Sequence, residues 1–224
     1  MSKNFQNSLS ELKQLIINMA KLVEDQLNIA IQEVEKGDAD QHKFIKSRDK
    51  EINAYENLIL AKCETVFAKF QPVAKDLRII IAILKINNQL ERCGDIAVNI
   101  SQKVKKSSEG KELLFNSKIQ EMAKIAIEMV NEAIHAFDEE HKDLALKVFE
   151  KEKVVDALNK ENFKYLVDKM KENPEKVEVA AHLLVLTRQI ERLADHATNI
   201  AEDVFFVTDS EIVAHNKKRL FENS

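Results

Sequence analysis

Apolar residues between positions 79 and 104 fall alternately four and three apart, at Ile79, Ile83, Ile86, Leu90, Cys93, Ala97, Ile100 and Val104. That spacing draws one continuous apolar seam along a single helix face. Adding one hundred to each number gives Val179, Leu183, Leu186, Ile190, Leu193, Ala197, Ile200 and Val204, and all of these are apolar again. Within the seam the phrase Glu-Arg-x-x-Asp-x-Ala-x-Asn-Ile occurs at Glu91 to Ile100 and recurs at Glu191 to Ile200. A shared seam and a shared phrase together mark an internal duplication.

The punctuation around these seams divides the chain into six helical segments. The first runs from about Asn4 to Lys36 and stops at Gly37-Asp38, with glycine at the usual position just past a helix end. The second is expected from Ala39 to about Phe70, and the third from Pro72 or Val73 to about Lys106. Ser107-Ser108-Glu109-Gly110 then reads as the loop between halves. In the second half, helices are expected over Phe115 to Phe137, His141 to Glu172 and Pro174 to Phe206, with Pro174 at a helix start where its missing N–H costs nothing. The expected architecture is all-α: six long antiparallel helices forming two tandem three-helix bundles, residues 1–108 and 109–207, followed by a polar tail over 208–224. Only three glycines and two prolines in 224 residues leave few places for tight turns, which agrees with long helices.

Charge narrows the function. The formal net charge is −4 with acids and bases interspersed, so no global basic field exists to hold a phosphate backbone, and nucleic acid is not an expected partner. Residues Met1 to Ser10 lack a signal pattern, and the longest apolar stretch, Ile79 to Leu84, is too short to span a bilayer. A cytoplasmic location is the expectation. Cys63 and Cys93 have neither a disulfide-framework count nor metal-ligand spacing and read as packed thiols.

Glu91, Asp95 and Asn99 are four apart, and wheel geometry turns their stripe away from the apolar seam. Glu191, Asp195 and Asn199 repeat it, and the preceding helices carry Asp49 and Asn53 around core Ile52, and Glu152 and Asp156 around core Val155. Two adjacent helices, each offering oxygen ligands one turn apart, can surround a hard or borderline cation. Solvated surface charge is the plainer reading of any one pair. Pairs at corresponding places in both halves favour metal.

Three phrases carry a family resemblance: Gln71-Pro72-Val73-Ala74-Lys75-Asp76-Leu77-Arg78, Leu90-Glu91-Arg92-Cys93-Gly94-Asp95, and the run from Ile190 to Asp203. Over almost its whole length the chain resembles the PhoU family of phosphate-uptake regulators. The resemblance implies a cytosolic accessory protein that works with the phosphate ABC transporter ATPase and a sensor histidine kinase to keep the phosphate-starvation response off. It also implies multinuclear clusters of iron or another divalent metal on the outer face of each bundle. The ligand pairs would be Asp49/Asn53 with Glu91/Asp95, and Glu152/Asp156 with Glu191/Asp195. Asn53 departs from the acidic pattern, and Gln102 and Lys103 stand where the second half has Glu202 and Asp203, so the second half is expected to be the better site.

Arg92 and Arg192 are expected to balance the acidic pairs, and Asp76 to favour the positive end of its helix. His196 is either packing or support for a ligand, since Ile96 stands at its counterpart. Glu132 and His135 match one ligand unit of di-iron bundles, but a second unit is missing, so the match reads as chance. No phosphate-cradling glycine loop is present. The reading is a non-enzymatic metal-binding regulator, as a homodimer that Phe205 or Phe206 could seed, touching the membrane only through its partners. The alternative is a carboxylate-bound metalloenzyme on a helical bundle.

Overall fold

A computed structural model describes residues 3–209, and helix accounts for nearly all of them: α1 Lys3–Lys36, α2 His42–Phe70, α3 Ala74–Lys106, α4 Lys111–Phe115, α5 Ile119–Asp138, α6 Lys142–Glu172 and α7 Val177–Thr208. The six long helices match the sequence pattern. The short α4 does not, because Leu113 and Leu114 are buried and fold the expected linker onto the bundle as a 3-10 turn, Ser108–Gly110, followed by one helical turn. The tail beyond Asp209 lies outside the described residues.

Helix ends are set by local chemistry. Gly37 takes a φ of 61°, which lets the Asp38 N–H reach the Glu33 carbonyl at 3.1 Å and close α1. The Glu33 carboxylate then accepts the Gln41 N–H at 2.7 Å, so α2 begins at His42 rather than Ala39. After α2, Gln71 and Ala74 both adopt left-handed conformations around Pro72, and α3 starts at Ala74. In the second half, Pro174–Lys176 form a 3-10 turn before α7, so the sixth long helix starts three residues later than Pro174.

Helices α1, α2 and α3 pack against one another, as do α5, α6 and α7, giving the two three-helix bundles. The bundles meet through α3 against α7, the most extensive pairing in the molecule, and through α1 against α5. Every residue of the first seam is buried. The second seam is buried from Leu183 to Val204, while Val179 packs against Gly110 so closely that a Cβ there would lie 2.0 Å from Val179 Cγ1. Phe205 corrects an expectation: it is buried and stacks on Phe149 with centroids 6.0 Å apart, so it seeds no dimer. Phe206 is half-buried, with the Lys85 ammonium 5.7 Å from its ring centroid.

Candidate metal centre

The two outer helices, α2 and α6, present their acids to the inner helices α3 and α7. In the first half, Ile52 is fully buried in the core, which fixes Asp49 and Asn53 half-buried on the flank of α2 beside Glu91 and Asp95 of α3. Three oxygens here are buried and accept no hydrogen bond: Asp49 Oδ1, Asn53 Oδ1 and Glu91 Oε2. Arg92 provides partial balance, its Nε 3.4 Å from Glu91 Oε2 and its Nη1 3.7 Å from Asp95 Oδ2. Burial raises the Glu91 carboxyl above its ordinary range, and repulsion from Asp95, Glu56 and Asp49 adds to this against the pull of Arg92. Burial and then Asp95 raise Asp49 in the same direction.

Glu56 is a residue the sequence reading missed. It lies seven residues after Asp49, on the same stripe of α2, and its charge bears on Glu91. The signal was available as the i, i+4, i+7 run Asp49, Asn53, Glu56, but the neutral Asn53 hides it. Adding 103 converts that run to Glu152, Asp156 and Asn159 in α6. With Glu91 and Asp95, or Glu191 and Asp195, each half therefore carries four acids, and the one amide of the outer helix stands at a different place in each. The same offset maps the Arg48–Asp25 ion pair, at 3.0 Å, onto Lys151–Glu128, at 2.7 Å. Because α3 and α7 differ by 100 instead, three residues of difference are absorbed in the links after α2 and α6.

The second-half face is arranged differently. Asp156 and Asp195 are exposed, and Glu191 is held by Arg188 from the preceding turn rather than by Arg192. Position 88, the counterpart of Arg188, is asparagine, so the first half has no such arginine. Asp203, expected to enrich this half's acids, is only 2% exposed and is committed to Lys85 of α3 across the bundle interface. Burial, the largest influence, pushes its carboxyl up to about 6 in spite of Lys85. His196 also belongs to that interface. Its Nδ1–H donates to Gln89 Oε1 at 2.7 Å, and burial, with Arg192 and Arg92, lowers it to about 4. Glu132 pairs with Lys151 at 2.9 Å and His135 with Glu139 at 3.1 Å, so neither is directed to a shared metal. Cys63 and Cys93 are buried and their thiols are pushed up to about 12, as packed thiols should be.

Among the described residues, no group of three or more His, Cys, Asp or Glu side chains stands close enough to hold a metal ion as placed. The donor chemistry of the first half nevertheless fits a hard or borderline cation. Two carboxylates and one amide offer buried oxygens that accept no hydrogen bond, Arg92 meeting Glu91 only as a 3.4 Å ion pair, and such atoms are costly unless a cation or water meets them.

Fold and site together define an internally duplicated helical protein whose two bundles each display a paired acidic face. The PhoU domain model matches this chain twice, over residues 16–104 and 119–204, and the chain belongs to the PhoU family. The chain is similar to the phosphate-specific transport system accessory protein PhoU homolog of Aquifex aeolicus, 36% identical over 207 residues, covering 92% of this chain and 94% of that one. It is likewise similar to PhoU homolog 1 of Thermotoga maritima, 32% identical over 207 residues, covering 91% and 88%. The crystal structure of PhoU from Pseudomonas aeruginosa superposes with a TM-score of 0.86 at 30% identity, covering 92% of this chain and 100% of that one. The protein is thus a PhoU-family regulator of phosphate transport. No described helix is long and apolar enough to cross a membrane.

Proposed function

We propose that the protein is a non-enzymatic, cytoplasmic adaptor that acts with the phosphate ABC transporter ATPase and its sensor histidine kinase to repress the phosphate-starvation response. The observation that carries the regulatory part is the double match to the PhoU domain across both bundles. Relatives over nine-tenths of the chain are named as accessory proteins of phosphate-specific transport, which supports partnership with a transporter. A strain lacking the gene should express a phosphate-starvation reporter in abundant phosphate, and restoring the gene should silence it. Normal silencing in the deletion strain would sink the proposal.

The metal part rests on the unsatisfied oxygens of Asp49, Asn53 and Glu91. In this proposal Asp49, Asn53, Glu91 and Asp95 hold cations in the first half, and Glu152, Asp156, Glu191 and Asp195 in the second. A bound multinuclear cluster of iron or another divalent metal would supply positive charge between the outer and inner helix of each bundle. Arg92 and Arg188 moderate the carboxylate repulsion that remains. The Ile52 and Val155 anchors keep the α2 and α6 ligands on the flank of the core.

A further inference from the structure

The two bundles differ most at one end. In the first bundle the start of α2 meets the end of α3, pinned by the His42 Nδ1 and Ser101 Oγ contact at 3.0 Å. Lys43 and Lys46 follow His42 on α2 with Lys50 one turn beyond, Lys105 and Lys106 follow Ser101 at the end of α3, and Lys36 ends α1; all six are exposed, and none has an ion-pair partner among the described residues. Lys46 and Lys105 come from different helices yet both bear on His42, which places them on one surface. The acids nearby already have partners: Asp38 faces Lys111 at 3.9 Å, Glu35 faces Lys124 at 2.8 Å, and Glu33 is buried beneath this end, accepting the Gln41 N–H at 2.7 Å. Asp40 and Glu109 remain as the opposing charges of this end.

The duplication shows that the fold does not require these lysines. The counterparts of Lys43, Lys46, Lys105 and Lys106 are Leu146, Phe149, Phe205 and Phe206, offset by 103 in α2 and by 100 in α3. There the second bundle closes its end with stacked aromatic rings. The first bundle exposes ammonium groups at the same places and sets two exposed phenylalanines among them. Phe44, 45% exposed, lies beside Lys43, and Phe115, 47% exposed, reaches the Gly37 turn.

We propose that this lysine-rich end of the first bundle is a docking surface for an anionic membrane, with Phe44 and Phe115 entering the headgroup region. Charge complementarity identifies the occupant. The six exposed cations without ion pairs are all lysines, flexible and strongly hydrated point charges that suit a diffuse anionic surface, while the neighbouring Arg48, 5.7 Å from the Phe44 ring centroid, is already paired with Asp25 at 3.0 Å. Interfacial phenylalanines add apolar attachment, as on other peripheral surfaces. The surface borders the first acidic face, with Lys46 one turn before Asp49 and Lys50 beside it, but uses none of the acidic residues. It goes beyond attachment through a transporter partner, because the chain itself touches lipid.

The test is sedimentation of the full chain with phosphatidylcholine vesicles, with or without roughly 30% phosphatidylglycerol. The wild type should pellet with the anionic vesicles, lose this as salt rises, and ignore neutral ones. Lys46→Glu with Lys105→Glu should weaken binding by at least about twentyfold, at roughly fivefold per lysine removed. Lys160→Glu with Lys164→Glu, exposed on α6 and equal in net charge change, should bind as the wild type does. Phe44→Ser should cost about fivefold. Failure of the wild type to pellet with anionic vesicles overturns the proposal, as does equal loss in both double variants. Loss of transporter-ATPase binding in Lys46→Glu/Lys105→Glu, with vesicles ignored throughout, would assign the surface to an acidic protein instead and overturn it too.

Discussion

The two acidic faces descend from one repeat and have the same donor count, yet they differ in what surrounds the donors. In the first half, Asp49, Asn53 and Glu91 each bury an oxygen without a hydrogen bond, and Arg92 stands at the loose end of ion-pair range. In the second half, Arg188 holds Glu191, and Asp156 and Asp195 reach solvent. A count of acids along the chain favours the second half. The placement of unsatisfied atoms favours the first. The pair teaches that readiness for a cation depends less on the number of carboxylates than on whether the protein has already satisfied them.

Asp203 offers the largest effect with which to test that lesson. Its counterpart in the first half is Lys103, so a buried interface carboxylate exists in only one repeat. Its folded pKa, about 6, lies above the ordinary 3.8, so the folded state keeps a proton that the unfolded state has lost. The associated stability is full below about pH 4 and is lost as pH rises through about 6, on the order of 2–3 kcal/mol in all. Asp203→Asn should flatten that decline and be at least as stable as the wild type at pH 8. Urea midpoints measured from pH 4 to 8 check it. A steeper decline in Asp203→Asn would mean that Lys85 outweighs burial, and that the interface is held by its ion pair.

The seams were plain in the sequence because their periodicity follows directly from helix geometry, and Ile52 and Val155 were recognised as core for the same reason. Glu56 was hidden by the neutral Asn53 in the middle of its stripe. Arg188 went unnoticed because the repeated phrase begins after it and its counterpart is Asn88. Asp203 looked like an extra acid of the second face, and only the crossing of α3 over α7, which no local pattern encodes, commits it to Lys85. Phe205 was misread as outward because its partner, Phe149, lies on another helix.

Metal content sharpens the comparison next. Asp49→Ala with Glu91→Ala removes donors from the face with unsatisfied oxygens, and Asp156→Ala with Asp195→Ala removes them from the more solvated one. The first double variant should lose at least about tenfold in affinity for ferrous or manganous ion at limiting metal, and the second should lose less. Elemental analysis after dialysis against limiting metal reads both. Equal losses would erase the difference between the halves, and unchanged metal in all variants, including Glu91→Ala, Asp95→Ala, Glu191→Ala, Asp195→Ala together, would remove the metal proposal.

The smallest effect isolates the cost of the unsatisfied face without any metal. Asp49 is half-buried, its carboxyl is raised by burial and by Asp95, and its Oδ1 lacks a donor. Because the folded value lies above the unfolded one, the metal-free wild type gains stability as pH falls toward the ordinary carboxylate range and loses it as pH rises through the raised value. Asp49→Asn keeps the shape and removes the charge, so in chelator it should be more stable at neutral pH by about 1 kcal/mol or less, with a shallower pH slope. Asp156→Asn, at the exposed counterpart of Asn53 in the second face, should change stability by under about 0.5 kcal/mol. With saturating metal the sign should reverse for Asp49→Asn, because the charge that repels its neighbours in the empty site attracts the cation in the filled one. If Asp49→Asn destabilises the metal-free protein, then the Asp49 charge is already satisfied by the fold, and the contrast between the two halves rests on Asn53 and Glu91.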